Sequence, residues 1–392
     1  MMIRTTKDMT LPTAVVGSIP RPAWFRESLH GRPFKVALED ATYRDQYLDT
    51  VSCNLRMQEM AGLDIYSDGD ARFDLDVGGR SWFLYPIERL NGVQGFKDTS
   101  HWMDLAQLRP GHILHEVQEA YQAPSVVQQL SRGPLHFTPI WKVAQRQASK
   151  PVKLGTISSA CLPMMLWNEH YPSDRELTLD VAAIMNEELK ELAAAGCPVI
   201  QIEEPPQHFA CYASQPATEK DLEFLTDVFN REVDGVETEI WAHTCWGNPN
   251  QQSFYWDKPS YEKALPYLLQ LNADVLTFEC ASSDGQDLPL FGKYETDKKI
   301  AIGVVTHTVT TVESPDRVAD LIRRALEYIP ADRLVITTDC GFGREGLSRR
   351  IAQYKMVSLV QGTNMVRREL GLPEAYVPIA DPKFAFTPPP DA

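Results

Sequence analysis

The chain has 392 residues, of which 43% are hydrophobic, so it can bury a large core in one or two domains. Its formal net charge is −15 and it has no run of Lys or Arg, which argues against nucleic acid or an anionic membrane surface as a partner. No stretch reaches the ~20 apolar residues that span a bilayer, and the N-terminus lacks the apolar core of a signal peptide, so we expect a cytoplasmic protein.

The first 70 residues predict two strands with a helix between them. The strands cover 13–18 and 63–67, and the apolar steps of three and four residues predict a helix at 38–62. The segment 71–150 is less regular: it indicates a loop at 78–83 and a short helix at 115–131, and a hairpin remains an open alternative. We interpret 71–150 as a long insertion over the mouth of the fold, between the second and third strands.

From residue 152 onward, predicted strands and helices alternate. The strands are 152–157, 198–203, 239–244, 274–279, 300–305 and 334–339, and the helices are 173–196, 219–231, 259–271, 314–328 and 346–361. Most of these strands are continuous apolar runs followed by a helix, which is typical of buried parallel strands, and eight of them predict a (β/α)8 TIM barrel. A doubly wound open sheet is the alternative. We expect one barrel domain over 1–372 and a Pro-rich tail at 373–392 that is extended on the surface or disordered.

Polar and metal-binding residue types follow the ends of successive predicted strands. They are Ser18, Asp68, Asp70, Glu203, Glu204, His243, Cys245, Glu279, His307 and Cys340. The carboxyl ends of the strands in a (β/α)8 barrel converge at one mouth, where active sites lie. We therefore expect these residues to form one site although they are far apart in sequence.

A zinc site is predicted from four of these residues. His243 and Cys245 lie two positions apart, so their side chains point the same way in an extended chain, and Glu279 and Cys340 end two other strands. His, Cys and carboxylate side chains are zinc ligands. A lone His-x-Cys pair is more often structural, but the match at three strand ends favours a metal. The odd count of seven cysteines also fits reduced thiols or metal ligands better than disulfides.

Three further features have a functional and a structural interpretation. The segment 341–346 spells Gly-x-Gly-x-x-Gly, but the strand with an acidic residue that a dinucleotide site requires does not follow it. Arg344 in this turn is a candidate contact for a substrate acid group, and a tight turn that exposes Cys340 is the alternative.

Glu203 and Glu204 place two costly charges at a buried strand end, which favours function. His307 is a candidate proton donor or acceptor, and a hydrogen-bonded structural histidine is the alternative.

In order along the chain, these residues match the motifs of the cobalamin-independent methionine synthase family. The resemblance covers roughly residues 12–372 and is to the catalytic C-terminal barrel, as in short single-barrel members. It implies a zinc ion held by His243, Cys245, Glu279 and Cys340. It also implies catalytic roles for His307 and Glu203. The substrate-binding candidates are Ser18, Asp70, Glu203, Trp167 and Arg344.

The sequence departs from the family pattern at the substrate residues. Asp70 stands where the family has a glutamate that binds the homocysteine amine, and Glu203 stands where it has an aspartate. The family's Arg-Cys pair that contacts folate has no counterpart before Pro134. Trp167 is the candidate for the tryptophan that stacks on the pterin.

The leading hypothesis is a zinc-dependent thiol S-alkyltransferase that methylates homocysteine to methionine. Its partners are a small-molecule thiol and an alkyl donor, which can be a methyl-folate or a corrinoid protein. The resemblance also extends to epoxyalkane:coenzyme M transferases, in which a zinc-bound thiolate opens an epoxide; Arg21, Arg72 and Arg80 are candidates for a sulfonate there. A zinc-dependent lyase or decarboxylase is the alternative from another class.

Overall fold

A curled sheet of parallel strands forms the centre of the molecule. A computed structural model describes residues 4–29, 31–72, 80–98, 122–203, 205–213, 215–247, 259–343 and 347–384. Strands in these ranges are β1 (Tyr66–Ser67), β2 (Asn91–Asp98), β3 (Gln122–Ser131), β4 (Val152–Ile157), β5 (Trp167–Asn168), β6 (Val199–Glu203), β7 (Glu239–Thr244), β8 (Val275–Phe278), β9 (Lys299–Val305) and β10 (Leu334–Thr338). Seven of them form one sheet in the order β1-β4-β6-β7-β8-β9-β10, and each neighbouring pair is parallel.

The segment at residues 13–14 closes this sheet. Thr13 forms a parallel bridge with Ile336 of β10, and Ala14 forms one with Ile65, next to β1. Eight parallel segments therefore surround one axis, and the predicted (β/α)8 barrel is confirmed. Its first strand is reduced to these two bridging residues.

Helices cover the outside of the barrel. The α-helices are Phe34–Ala37, Ala41–Ala61, Arg80–Ile87, Phe137–Gln145, Asp174–Ala194, Gln207–Ala210, Glu219–Glu232, Leu265–Leu268, Pro315–Leu326 and Arg349–Glu369. The 3-10 turns are Leu162–Met165, Tyr261–Lys263, Leu288–Gly292, Pro378–Ala380 and Pro382–Phe384. Local sequence sets the helix starts: the Ser173 side chain accepts a hydrogen bond from the Glu176 amide, and Thr218 and Asp221 form a capping box. No helix in the described ranges is long and apolar enough to cross a membrane.

An apolar cluster forms the floor of the barrel interior, and one of the eight barrel segments does not contribute to it. Buried side chains from seven of the eight barrel segments form it, namely Ala14, Ile65, Val199, Trp241, Val275, Ala301 and Val335. Strand β4 contributes no residue to this cluster. Its buried residue beside the floor is Lys153, whose ammonium lies 5.0 Å from the centre of the Trp241 ring.

The helix predicted at 115–131 is wrong where the structure describes it. Residues 122–131 form β3, which pairs antiparallel with β2, so the hairpin alternative is correct. The remaining residues, 115–121, lie outside the described part of the chain. Strand β5 pairs with β3 and attaches this hairpin to the segment that follows β4, at the carboxyl end of the barrel strands.

Two predicted helix boundaries also differ. The segment 259–271 forms two short turns instead of one helix, and Pro266 at the start of the second turn cannot donate a backbone hydrogen bond. The last helix continues past Gly362 to Glu369. Gly362 does not end the helix: a Cβ atom there would lie 2.5 Å from the Val318 side chain, so the glycine allows close helix packing.

The described part of the C-terminal tail docks on the barrel helices. Gly62 ends the helix Ala41–Ala61 in the left-handed region (φ 81°), and a Cβ atom there would lie 2.4 Å from the Tyr376 carbonyl oxygen. The Asn364 side chain exchanges two hydrogen bonds with the Ala375 backbone, at 2.7 and 2.8 Å. Residues 385–392 lie outside the described ranges.

Glu232, at the end of helix Glu219–Glu232, gives a prediction for stability. Burial raises the pKa of this carboxyl group to about 8, and its hydrogen bond from the Ser159 amide (3.0 Å) opposes that rise only in part. The folded chain therefore binds a proton that the unfolded chain has released, so the stabilisation present below pH ~4 is lost as pH rises towards 8. We expect Glu232→Gln to flatten the fall in Tm between pH 5 and 8. The exposed Glu237→Gln is the matched control, and an unchanged slope in Glu232→Gln would contradict the assignment.

Candidate active site

His243, Cys245 and Cys340 lie together in the barrel mouth. One ligand atom from each is within 4.8 Å of the other two, and all three side chains are buried. The two sulfur atoms are 3.4 Å apart, well beyond the ~2.05 Å of a disulfide bond. Two Zn–S bonds of about 2.3 Å at a tetrahedral angle place sulfurs roughly 3.8 Å apart. The donor types and this spacing fit one zinc ion shared by the three side chains.

Glu279, the fourth predicted ligand, follows β8 beside this cluster. Its Oε2 accepts a hydrogen bond of 2.7 Å from the amide of Trp246, the residue after Cys245. Its Oε1 accepts a hydrogen bond from the Ser282 hydroxyl group. Ligand atoms of Glu279, His307 and Asp339 also lie within 4.8 Å of one another. The structure therefore places His307 next to the carboxylate predicted to bind the metal.

Asp339 is a site residue that the sequence analysis missed. Its two carboxylate oxygens accept hydrogen bonds of 2.8–2.9 Å from three successive amides, those of residues 280–282. These amides directly follow Glu279, so Asp339 holds the backbone next to this predicted ligand. Gly303 leaves the necessary room, because a Cβ atom there would lie 2.0 Å from the Asp339 carboxylate. An acidic residue beside Cys340 was the available signal.

Glu203 holds the His243 ring. The strand register sets Glu203 of β6 directly beside His243 of β7, and the Glu203 Oε2 is hydrogen-bonded to the His243 Nδ1. A proton on Nδ1 leaves the lone pair of Nε2 for a metal, which is the usual arrangement of a carboxylate behind a ligating histidine. Burial opposes ionisation of Glu203, but His243, Lys153 and Gln201 outweigh it and hold the Glu203 pKa below its usual value.

A second carboxylate lies near the other oxygen of Glu203. A Cβ atom on Gly155 would lie 3.5 Å from the Glu203 Oε1 and 3.6 Å from the Asp70 Oδ1. The glycine therefore leaves a space that both carboxylates border. Burial raises the pKa of Asp70 to about 7, with Asp68 and Glu203 adding to the rise and Arg72 opposing it.

Arg72 balances part of this negative charge. It is fully buried, and its guanidinium lies 3.4 Å from both the Asp68 and the Asp70 carboxylates. The same group donates a hydrogen bond to the Gly155 carbonyl oxygen. These contacts pair Arg72 with the two carboxylates.

Ser18 lies against the glycine-rich turn that follows Cys340. Its carbonyl oxygen accepts hydrogen bonds from the Phe342 amide (2.7 Å) and the Gly343 amide (3.0 Å). Its hydroxyl oxygen is buried and has no hydrogen-bond partner among the described residues. A Cβ atom on Gly343 would lie 2.7 Å from that oxygen, so the glycine is needed for close packing. This geometry supports the interpretation of the motif as a tight turn.

The remaining candidates lie at the edge of the site or outside the described residues. Trp167 is on β5 of the small sheet and is 36% exposed, and its role stays a prediction. Arg344 and Glu204 are outside the described ranges, so their predicted contacts stay untested. His208 is another residue that the sequence analysis missed: its Nε2 lies 2.6 Å from the Cys245 carbonyl oxygen and helps to fix that ligand's backbone.

Comparisons with known proteins identify a family for this chain. Residues 11–361 match the family described as cobalamin-independent synthase, catalytic domain. A methionine synthase of Saccharolobus solfataricus is 30% identical over 361 residues, which cover 92% of this chain and 96% of the relative.

Two solved structures extend the comparison. A B12-independent methionine synthase from Shewanella sp. W3-18-1, in complex with selenomethionine, is 28% identical with a TM-score of 0.74, and the match covers 92% of this chain and 99% of that one. A protein from Listeria monocytogenes described as a putative vitamin-B12 independent methionine synthase shares the fold, at 18% identity, a TM-score of 0.63 and coverage of 90% and 96%. This chain belongs to the cobalamin-independent methionine synthase family.

Proposed function

We propose that this protein is a zinc-dependent methyltransferase that transfers a methyl group to the thiol of homocysteine and so forms methionine. The observation that carries the proposal is the link between two sites: Glu203 borders the space above Gly155 and is hydrogen-bonded to His243 of the cysteine cluster. One substrate with an ammonium group and a thiol a few bonds apart can therefore reach both.

Zinc held by His243, Cys245, Cys340 and Glu279 would bind the substrate sulfur as a thiolate at neutral pH. Two thiolates and a carboxylate give this site a formal charge of −1 with Zn²⁺, so the bound sulfur stays electron-rich and nucleophilic.

The amino-acid part of the substrate fits the polar groups around Gly155. Asp70 and Glu203 border the space above Gly155, and we propose that they accept hydrogen bonds from the ammonium group, since charge-assisted bonds of this kind are the strong ones. The Ser18 hydroxyl, buried and without a partner among the described residues, is suited to the substrate carboxylate. The relative from Shewanella is described in complex with selenomethionine, an analogue of the proposed product, which supports an amino-acid site here.

His307 is suited to proton transfer at the methyl donor. As the methyl–sulfur bond forms, the bond from the methyl group to the donor breaks and its electron pair stays with the donor atom. A folate nitrogen that leaves in this way needs a proton, which a histidine can supply near neutral pH. A corrinoid cobalt keeps the electron pair and needs no proton. A methyl-folate and a corrinoid protein are the two donors that we propose to compare.

The same pocket disfavours the epoxide-opening alternative. Coenzyme M carries a sulfonate in place of an ammonium group, and Asp70 and Glu203 would repel it. Arg72, a sequence candidate for the sulfonate, is paired with Asp68 and Asp70.

The first prediction concerns the metal. We expect one zinc ion per chain by elemental analysis, and we expect the double variant Cys245→Ser with Cys340→Ser to lose it, because two of the four ligand atoms change. Cys53→Ser with Cys197→Ser is the matched control and should keep the full amount. Full zinc content in the Cys245/Cys340 variant would show that zinc binds elsewhere in the chain.

The second prediction concerns recognition of the amine. Because burial raises the Asp70 pKa to about 7, this carboxyl is partly protonated at neutral pH and attracts an ammonium group fully only at higher pH. We expect the KM for homocysteine to fall as pH rises through 7. Asp70→Asn should flatten this dependence and raise the KM about tenfold, as for loss of one charge-assisted hydrogen bond.

The control for this prediction is 4-sulfanylbutanoate, which has the thiol and carboxylate of homocysteine but no amine. Its KM should be the same for the wild type and Asp70→Asn at each pH. If Asp70→Asn leaves the KM for homocysteine unchanged, Asp70 does not contact the amine.

The third prediction separates the methyl donors. His307→Asn should slow turnover with a methyl-folate by ~10² or more, the usual contribution of one general acid, and should leave turnover with methylcobalamin nearly unchanged. The exposed His170→Asn is the control. Zinc content should stay the same in both variants. Loss of zinc in His307→Asn would show that this histidine supports the metal and does not transfer the proton.

A further inference from the structure

A buried chain of hydrogen bonds runs from the barrel floor to the metal cluster. The Lys153 ammonium donates to the Gln201 Oε1, the Gln201 Nε2 donates to the Glu203 Oε1, and the Glu203 Oε2 is bonded to the His243 Nδ1. Each of the four side chains is at most 2% exposed. Lys153 and Gln201 had no assigned role in the sequence analysis.

A lysine at position 153 is energetically costly, because its ammonium is buried in the barrel. The interiors of such barrels are filled mainly by branched apolar side chains, and the other seven barrel segments supply apolar residues to this floor. Burial lowers the pKa of Lys153 to about 8, and the neighbouring Glu203 and Asp70 carboxylates oppose that fall. The ammonium is therefore mostly protonated at neutral pH, and the barrel keeps a buried charge where an apolar residue would be less costly.

The lysine decides which way the Gln201 amide points. An ammonium group only donates hydrogen bonds, so it requires the amide oxygen on its side and leaves the amide NH2 for the Glu203 carboxylate. Without Lys153 the amide can turn over and present its oxygen to that carboxylate, which repels it. The Glu203 carboxylate, held by Gln201 at one oxygen and by His243 at the other, then loses one of its two fixed contacts.

Lys153 also sets the net charge of the pocket. Three carboxylates, Asp68, Asp70 and Glu203, lie near two cations, Arg72 and Lys153. With all five ionised, one negative charge remains, which matches one substrate ammonium. Loss of Lys153 would leave two negative charges against a single ammonium, and one of them would stay uncompensated in a buried site.

We propose that Lys153 is a positioning residue that acts through Gln201 to hold Glu203 in place, and thereby fixes both the metal ligand His243 and one wall of the amine pocket. The part that concerns the amine rests on the proposed function, whereas the part that concerns His243 requires only a bound metal.

The test compares Lys153→Met, Gln201→Leu and the double variant with the wild type. Lys298→Met is the matched control, because the Lys298 ammonium donates hydrogen bonds to the carbonyl oxygens of Leu271 and Ala273, before β8. The first readout is the visible spectrum of the cobalt-substituted protein together with zinc affinity by chelator competition. The second is the KM and kcat for homocysteine and for 4-sulfanylbutanoate.

We expect Lys153→Met to change the cobalt ligand-field bands and to weaken zinc binding about tenfold, as other changes behind a ligating histidine do. The KM for homocysteine should rise about tenfold with a smaller change in kcat. The KM for 4-sulfanylbutanoate should stay at its wild-type value. Because both residues act through one chain of contacts, the double variant should be no worse than the poorer single variant. Lys298→Met should resemble the wild type in every measurement.

A wild-type spectrum and an unchanged homocysteine KM in Lys153→Met would overturn the proposal, and so would additive effects in the double variant. If Lys153→Met does not fold, the test rests on Gln201→Leu. An unchanged cobalt spectrum and an unchanged homocysteine KM in that variant would also overturn the proposal. A wild-type protein that binds metal but does not methylate homocysteine would refute the proposed function alone. In that case the cobalt spectrum still decides whether Lys153 positions His243.

Discussion

The contact between Glu203 and His243 is the interaction on which the site depends. The Glu203 carboxylate is hydrogen-bonded to the Nδ1 of His243, whose ring lies beside Cys245 and Cys340, and it borders the space above Gly155 where a second carboxylate lies. A single side chain thus contacts both the cluster proposed to bind the thiol and the space proposed to bind the amine. The parallel register of β6 and β7 makes this possible, since it sets the two residues side by side at the strand ends.

A row of buried, hydrogen-bonded polar side chains leads through the barrel interior to the Glu203–His243 contact. Lys153, Gln201 and Glu203 form a polar column that begins beside the apolar cluster of the barrel floor, and each member is hydrogen-bonded to the next. A partly paired column would cost more than an apolar core, because each unpaired buried group retains its full desolvation penalty. Two glycines leave room for the carboxylates of the site. A Cβ atom on Gly155 would contact Glu203 and Asp70, and a Cβ atom on Gly303 would displace Asp339.

Much of the site could be predicted from the sequence because a parallel barrel converts strand ends into neighbours. His243, Cys245 and Cys340 were placed together on that basis, and the ligand atoms do meet. Lys153 could not be assigned, since its contacts lie across strands that no local pattern encodes, whereas Asp339 had the signal of its position beside Cys340 but its bonds to the amides after Glu279 needed the structure. The helix expected at 115–131 failed for a related reason: a short stretch with apolar residues at mixed spacing fits either period, and pairing with β2 decided in favour of a strand where residues are described.

The exchange of the two acidic residues relative to the family pattern has a physical explanation in this structure. Asp70 is shorter than the glutamate it resembles, and it lies in the left-handed region (φ 54°), which aspartate tolerates better than most residues. Glu203 is longer than the corresponding aspartate, and its extra methylene lets one oxygen reach the His243 ring while the other borders Gly155. Of the two carboxylates, the one on the longer side chain here is therefore the one that is also hydrogen-bonded to His243. In the proposed function, recognition of the amine and orientation of His243 consequently share one side chain, and we propose that Lys153 and Gln201 hold that side chain in place.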